Sequence, residues 1–251
     1  MTLTVKHAGM SDRGRVREKN EDNWTADPKQ GLYIVSDGLG GQFAGALASK
    51  IVVEVLPRLI QERLDDADDL AEPDVAEQVR GILYDLSQQV YEQTHGEPGL
   101  EGMGATVVLA LLRDGEALIA HMGDSRAYRL RSGQLEQLTK DHSLVQLLID
   151  SGDISPKEAA THPARGQVTR SVGMEGEPLP EVQATDIIEG DRLLLCTDGL
   201  TGMLPESEVA GILMQRKGAR ATCRTLVQAA LDAGGKDNVT VVLVDAVAAG
   251  L

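Results

Sequence analysis

Short apolar runs that stop at an aspartate constrain this chain more than any other feature of its sequence. The run Gly31–Ser36 leads directly into Asp37, and the run Leu193–Cys196 leads through Thr197 into Asp198. Short apolar runs bounded by turn residues are typical of buried strands. Each of these aspartates would therefore lie where a rigid strand meets a loop, which is where proteins commonly build binding and catalytic sites.

Helical and strand-like patterns occur in groups along the chain rather than in regular alternation. Helical spacing covers 44–63, continues from Pro73 to about Glu92, and returns near 143–151, 155–161, 205–216 and 219–233. Strand-like runs are found at 2–9, 31–36, 104–112, 117–122, 125–130, 182–187, 191–196 and 238–247. Grouped helices and strands are the α+β pattern. We therefore predict mainly antiparallel sheet with helices packed outside it.

The composition allows a sizeable aliphatic core and argues against several kinds of partner. Apolar residues make up 42% of the chain but aromatic residues only 2%, and 24 basic against 39 acidic residues give a net charge of −15. A field of that sign repels nucleic acid and anionic membranes and attracts cations. Neither a signal peptide nor a membrane-spanning run is visible. We expect a cytoplasmic protein whose Cys196 and Cys223 stay reduced.

Five aspartates at predicted strand ends are candidate metal ligands, namely Asp22, Asp37, Asp124, Asp198 and Asp237. Carboxylates that converge in space repel one another unless a positive charge lies between them. Hard divalent cations with oxygen ligands are the usual solution, and two such ions can activate a shared water for attack on phosphorus. A single Asp-Gly after a strand is more often a turn. The hypothesis therefore depends on all five aspartates converging.

Six motifs occur in a characteristic order, namely Arg17-Glu-Lys-Asn-Glu-Asp22, Ser36-Asp-Gly-Leu-Gly-Gly41, Gly104-Ala-Thr106, Gly123-Asp-Ser-Arg126, Thr197-Asp-Gly-Leu200 and Gly235-Lys-Asp-Asn-Val-Thr240. This set resembles that of the bacterial PPM (PP2C-type) metal-dependent serine/threonine protein phosphatases, over about residues 5–245. The resemblance implies a four-layer α-β-β-α sandwich of two mainly antiparallel sheets flanked by helices. It also implies a single catalytic domain over 1–251, with a flap at approximately 140–173.

The resemblance further implies roles for individual residues in holding the metal ions. Asp37 corresponds to the carboxylate that bridges two metals, and Asp198 and Asp237 correspond to further ligands of the first metal. Asp22 corresponds to the acid that holds the second metal, mostly through water. The Gly38 carbonyl corresponds to a backbone ligand.

The remaining implied roles concern the third metal, the substrate and the reaction. Asp124, together with Asp198, corresponds to a third-metal site, and Arg17 corresponds to the arginine that grips the substrate phosphate, which suits a planar bidentate donor. The resemblance implies two or three Mn2+ or Mg2+ ions and hydrolysis of phosphoserine or phosphothreonine by a metal-bridging hydroxide. It implies an enzyme acting on phosphorylated proteins, with a Ser/Thr kinase and its substrates as partners, and we expect a monomer.

Three positions depart from the family pattern and leave the general acid without a candidate. Leu39 and Gln42 stand where relatives carry histidine, and Ala46 stands where a glutamate is usual. A catalytically weak phosphoprotein-binding module on the same fold is therefore an alternative. In the predicted flap, His142 and His162 could touch substrate, but a surface or helix-capping role is as good an interpretation, so neither is in the predicted catalytic set.

Other sites are excluded by the residues present. Gly38-x-Gly40 lacks the third glycine of a dinucleotide fingerprint, because Phe43 occupies that position. Asp66-x-Asp68 could begin a calcium loop, but Leu70 and Ala71 stand where a ligand and a glycine are required. The sequence contains neither a phosphate-binding P-loop nor the Gly-x-Ser-x-Gly motif of serine hydrolases.

Overall fold

The computed structural model describes residues 3–40, 44–64, 69–70, 72–100 and 102–248. Their strands are, in chain order, β1 (Leu3–Asp12), β2 (Asn23–Asp27), β3 (Leu32–Ser36), β4 (Gly38–Leu39), β5 (Gly104–Ala105), β6 (Val107–Arg113), β7 (Glu116–Met122), β8 (Arg126–Arg131), β9 (Gln134–Gln137), β10 (Glu181–Asp186), β11 (Arg192–Cys196) and β12 (Val239–Ala248). Their helices are α1 (Ala44–Leu64), α2 (Pro73–Thr94), α3 (Leu144–Asp150), α4 (Pro156–Ala159), α5 (Asp198–Thr201), α6 (Glu206–Met214) and α7 (Ala219–Asp232).

Two five-stranded antiparallel sheets account for most of these strands. The first sheet has the order β1-β12-β11-β8-β9 and the second the order β10-β7-β6-β3-β2. The first and last strands of the chain pair along their whole length, from Leu3 opposite Ala248 to Asp12 opposite Val239. This register brings the loop that follows β1 beside the loop that precedes β12, so residues near 13–22 meet residues near 235–238.

Three aliphatic clusters divide the molecule into four layers. One cluster lies between the two sheets and is built on side chains such as Val35, Leu195 and Val242. A second joins the β10-β7-β6-β3-β2 sheet to α1 and α2, and a third joins the other sheet to α6 and α7. The predicted α-β-β-α sandwich is therefore confirmed, and its core is aliphatic as the composition requires.

The structure contains elements that the sequence patterns did not predict. β2 and β9 each lie at the edge of a sheet and contain no fully buried position, so they lack a continuous apolar run. The run 104–112 was predicted as one strand, but it is divided at Thr106. Its first two residues pair with β4 in a separate two-stranded ladder beside the predicted metal ligands.

Several smaller expectations can be compared with the structure. Both cysteines are buried and free. Ser143 caps α3 by accepting a hydrogen bond from the Gln146 N–H, and Ser155 forms a capping box with Glu158 at α4.

Within the described ranges, no helix has the length and apolar character needed to cross a bilayer. The acidic run at 65–68, including the rejected calcium motif, lies outside the described residues.

A buried ion pair between the two strands β11 and β12 gives the first testable prediction. Arg192 donates to both carboxylate oxygens of Asp245, from Nε at 2.7 Å and from Nη2 at 3.1 Å, and its Nη1 donates to the Leu213 carbonyl at 2.6 Å. Asp245→Ala would leave the guanidinium charge buried without its counterion. We expect the free energy of unfolding to fall by about 3 kcal/mol in a urea titration.

The matched control for this prediction is the exposed pair between Arg15 and Asp232, whose side chains are 57% and 63% exposed. Asp232→Ala should change the free energy of unfolding by less than about 0.5 kcal/mol, because solvent screens such pairs. Equal losses in the two variants would contradict the interpretation that burial makes the Arg192–Asp245 pair important.

Candidate active site

A cleft of about 1180 Å3 opens where several strands of both sheets end, and the predicted site residues gather there. Its lining includes Arg17, Asp37, Gly38, Asp124, Asp198 and Asp237. Asp22 is 5% exposed and interacts electrostatically with Asp37 and Asp198, which places it beneath the cleft floor. The structure therefore brings together all the residues that the sequence nominated, from five separate stretches of chain.

Asp22 is held from below by threonines at the ends of β11 and β12. The Thr197 hydroxyl donates to Asp22 Oδ2 at 2.9 Å, and the same hydroxyl oxygen accepts the Thr240 N–H at 3.0 Å. The other carboxylate oxygen, Asp22 Oδ1, is buried and has no hydrogen-bond partner among the described residues. Burial raises the pKa of Asp22 to about 7, with repulsion from Asp198 adding to the effect.

Asp37 is fixed through its backbone by Thr106, the residue that interrupts the run at 104–112. The Asp37 N–H donates to Thr106 Oγ1 at 3.0 Å, and the Thr106 N–H donates to the Asp37 carbonyl at 2.8 Å. The Thr106 hydroxyl also bonds Ser125 Oγ at 2.7 Å, directly beside Asp124. In the sequence Thr106 is recognised only as the last residue of the Gly104-Ala-Thr106 motif. In the structure it links the loops that carry the candidate ligands Asp37 and Asp124.

A close backbone approach brings Asp198 next to Asp237. A Cβ on Gly199 would lie 1.8 Å from the Asn238 carbonyl oxygen, so only glycine permits the two loops to touch at this point. Asn238 then ties in the loop after β1, because its Nδ2 donates to the carbonyls of Arg13 and Lys19, each at 2.8 Å. Asn238 was missed as a functional residue, and its place beside Asp237 in the last motif was the only signal for it.

Arg17 lies in this same loop and forms an ion pair with a predicted metal ligand. Its Nη2 donates to Asp237 Oδ2 at 2.7 Å, with the arginine side chain 55% exposed. This bond to Asp237 raises the pKa of the Arg17 guanidinium further, so the group is positively charged throughout the working range of pH. The cleft thus has a solvent-facing cation at its rim and carboxylates at its floor.

The carboxylates of the cleft repel one another strongly. Burial raises the pKa of Asp37 well above its usual range, and Asp22, Asp198, Asp124 and Asp237 each raise it further. Burial also raises the pKa of Asp124 to about 7 and that of Asp198 to about 6. Such a cluster lacks a compensating charge at its centre, and that charge is what bound cations provide.

The donor set fits hard divalent cations. All the candidate ligands are oxygen atoms, and two of them, Asp22 Oδ1 and Asp198 Oδ1, are buried without a hydrogen-bond partner in the described part of the chain. An unpaired buried carboxylate oxygen is costly unless a cation uses it. Oxygen-only sites of this kind suit Mg2+ or Mn2+ rather than ions that prefer sulfur or nitrogen ligands.

The positions that depart from the family pattern leave the cleft without an imidazole. Leu39 lines the cleft, Ala46 lies half-buried in α1, and Gln42 lies outside the described residues. Among the described lining residues there is no histidine. The described lining thus supplies acidic, amide and basic side chains but no neutral imidazole for proton transfer.

A second group of potential ligands, His121, His142 and Glu181, lies apart from the aspartates. Arg170 Nη1 is 3.3 Å from His142 Nε2 and 3.2 Å from Glu181 Oε1, so a guanidinium already supplies the positive charge there. His121 Nε2 lies 2.8 Å from the Lys140 carbonyl. This group is therefore better described as a hydrogen-bonded network than as a metal site.

The two flap histidines have different environments. His142 is 5% exposed, which argues against the surface interpretation. His162 is more accessible, and its Nδ1 accepts a hydrogen bond from the Ala164 N–H at 3.1 Å in a turn. Neither histidine lines the cleft, in agreement with their omission from the predicted catalytic set.

Comparisons with known proteins agree with this arrangement. A family profile described as protein phosphatase 2C matches residues 12–234. The serine/threonine phosphatase stp of Listeria welshimeri is 36% identical over 238 residues, covering 94% of this chain and 93% of that protein. The serine/threonine protein phosphatase PstP of Mycobacterium tuberculosis is 40% identical over 248 residues, covering 98% of this chain and 46% of that protein.

Solved structures give the same result. The catalytic domain of PstP, solved in complex with two manganese ions, superimposes with a TM-score of 0.81 at 37% identity, covering 98% of this chain and 100% of that one. The relatives are named as phosphatases, so the alternative of a binding module is not favoured. Together with the matched profile and the converging aspartates, these similarities show that the chain belongs to the protein phosphatase 2C family.

Proposed function

We propose that this chain hydrolyses phosphoserine and phosphothreonine in proteins, with Mn2+ or Mg2+ held by its aspartates. The observation that carries the proposal is the convergence of Asp22, Asp37, Asp124, Asp198 and Asp237 in one cleft, with two buried carboxylate oxygens lacking a partner among the described residues. The repulsion expressed in the raised pKa values of Asp22 and Asp37 is relieved only when positive charge enters. Binding of cations therefore completes the site.

We assign the ligand roles from these positions. Asp37 lies at the centre of the electrostatic network and is proposed to bridge two cations, with the Gly38 carbonyl beside it. Asp198 and Asp237 are proposed to complete the first position and Asp22 the second. Asp124, which interacts with Asp198, is proposed to form a third position with it.

The cations, Arg17 and a water molecule have separate proposed roles in the reaction. Bound cations supply positive charge for the phosphoryl oxygens and lower the pKa of water. Arg17 stands at the rim, where its guanidinium can donate two hydrogen bonds to a phosphate, an anion that suits it better than the single oxygen of Asp237. Since no imidazole lines the described cleft, we assign protonation of the leaving serine or threonine oxygen to a water molecule.

The wider setting is part of the same proposal. The described residues would form one catalytic domain, with 140–173 as its flap, acting as a monomer in the cytoplasm. Its partners would be phosphorylated proteins, including a Ser/Thr kinase and the targets of that kinase. The acidic surface, with a net charge of −15, supports a protein partner over nucleic acid.

The proposed activity is tested with a small ester and a phosphothreonine peptide. Purified protein should hydrolyse p-nitrophenyl phosphate and the peptide with Mn2+, and EDTA should abolish both activities. Asp37→Asn should reduce turnover to the EDTA level, because it removes the charge at the centre of the site. Asp150→Asn, at an exposed residue of α3, serves as the matched control and should retain full activity. A metal-loaded protein that hydrolyses neither substrate would refute the proposal.

Arg17 is tested separately from the metal ligands. Arg17→Ala should lower kcat/KM for the phosphopeptide by about 100-fold, as expected when one charged donor to the transition state is lost. Arg17→Lys keeps the charge but loses the planar pair of donors, so its kcat/KM should lie between those of the wild type and the alanine variant. Mn2+ affinity measured by calorimetry should not fall in either variant, because Arg17 pairs with Asp237 when no cation neutralises that carboxylate. Wild-type kcat/KM in Arg17→Ala would remove Arg17 from the site.

The carboxylate cluster also predicts how the stability of metal-free protein depends on pH. The pKa of Asp22 and that of Asp124 are raised to about 7, whereas these groups titrate near 4 in an unfolded chain. Between these values the folded state binds more protons than the unfolded state, so stability falls as pH rises. The melting temperature of EDTA-treated protein should therefore decrease from pH 5 to pH 8.

Two comparisons accompany the pH measurement. Asp22→Asn should flatten the decrease, because one of the responsible carboxyl groups is gone. Added Mn2+ should raise the melting temperature more at pH 8 than at pH 5, since cations compete with the bound protons. A melting temperature that rises with pH in EDTA would show that the carboxylates are not coupled as described.

A further inference from the structure

We propose that Asp141 and His142, the two adjacent residues at the root of the flap, are positioning residues for Asp124. Asp141 and His142 form hydrogen bonds to the two ends of the loop Gly123–Arg126, which carries Asp124. The flap root and this candidate ligand would therefore move together. The inference rests on the proposed role of Asp124 in holding a cation. It adds a function for two residues that make no contact with the metal or the substrate in that scheme.

Asp141 holds the side of the loop that follows Asp124. Arg126 donates to its two carboxylate oxygens from Nε and Nη2, each at 2.7 Å, and the pair is largely shielded, with side-chain exposures of 25% and 12%. Arg126 Nη1 also donates to the Tyr128 hydroxyl at 2.8 Å. Asp141 lines the cleft, but its two oxygens are engaged by the guanidinium, so it acts on the loop rather than as a ligand.

His142 holds the side of the loop that precedes Asp124. Its backbone N–H donates to the Gly123 carbonyl at 2.9 Å, and the Gly123 N–H donates to His142 Nδ1 at 3.3 Å. Since Nδ1 accepts, the proton of the neutral ring is assigned to Nε2, which faces Glu181 Oε1 at 3.1 Å. Arg170 Nη1 contacts the same Glu181 oxygen at 3.2 Å. The edge strand β10 thereby orients the imidazole that holds Gly123.

The loop between these two attachments has little freedom of its own. Gly123 has a φ of +113°, and a Cβ there would lie 2.6 Å from the Thr106 side chain. Ser125 is bonded to the same threonine. Asp124, between them, is repelled by Asp198. The Asp141 carboxylate adds to this repulsion, but its ion pair with Arg126 and the hydrogen bonds of His142 to Gly123 hold the loop in place. A displacement of the flap root would therefore be transmitted to the position shared by Asp124 and Asp198.

His142 is also hydrogen-bonded to the other end of the flap. The Thr169 N–H donates to the His142 carbonyl at 2.8 Å, which closes the far end of the flap onto its root. Both ends of the segment are thus tied to the Asp124 loop. A substrate that shifts the flap root would change the geometry of the Asp124–Asp198 position. The far end of the flap has a separate connection, because Val172 pairs with Ala105, next to the Thr106 that bonds Asp37.

Mn2+ binding to metal-stripped protein tests the proposal without relying on activity. Calorimetric titrations of His142→Ala and Asp141→Asn should show one Mn2+ site weakened by roughly ten-fold or more, with the other sites unchanged, as when partners that orient a metal ligand are removed. Asp124→Asn should give the same pattern. His142→Asn, whose amide oxygen can replace Nδ1 as the acceptor for Gly123, should restore much of the lost affinity.

The matched control is His162→Ala, in the same flap but bonded only locally to Ala164, and it should bind Mn2+ like the wild type. The proposal would be overturned if folded His142→Ala and Asp141→Asn kept the wild-type affinity at the Mn2+ site that Asp124→Asn weakens. Uniform weakening of every site, with a collapse of the melting temperature that His142→Asn does not repair, would also overturn it. A wild-type protein that binds Mn2+ but hydrolyses no phosphoester would instead contradict the proposed function.

Discussion

Repulsion among carboxylates that share one cleft is the constraint on which the rest of this structure depends. Asp37 receives an unfavourable contribution from four neighbouring aspartates, and burial adds to it. A chain free to relax would turn these side chains outward into water. Hydrogen bonds from neighbouring loops hold the loops of Asp22, Asp37 and Asp237 in place.

Those bonds connect the two sheets across the open end of the sandwich. Thr106 bonds the loop of Asp37 and reaches Ser125, next to Asp124. On the other side, Thr197 bonds Asp22 directly. Neutral hydroxyls suit this task, since the Thr106 hydroxyl accepts the Asp37 N–H and the Thr197 hydroxyl donates to the Asp22 carboxylate, and neither supplies a charge that would displace a cation. The full-length pairing of β1 with β12 then fixes the distance between the loops at either end of the chain.

The sequence predicted the ligands better than it predicted what holds them. Asp37 and Asp198 end apolar strands and precede glycine, a local signal that a reader of the sequence can see. Asn238 donates to a backbone carbonyl 225 residues away in the sequence, and Asp141 pairs with an arginine 15 residues away. Local periodicity in the sequence does not reveal such contacts. The edge strands β2 and β9 were not predicted from the sequence because neither contains a fully buried run of apolar residues.

The charge balance of the cleft links cation binding to phosphate binding. When all five carboxylates are ionised they outweigh the charge of Arg17, so a metal-free cleft at high pH repels a phosphate dianion, and the overall charge of −15 strengthens that repulsion. Arg17 is also engaged by Asp237 when nothing else neutralises that carboxylate. Two divalent cations would balance the carboxylates with the help of Arg17, and a third would make the site attractive to the anion. Under the proposed assignment, the third cation would lie at the position shared by Asp124 and Asp198, so the geometry of that position would bear directly on affinity for the substrate.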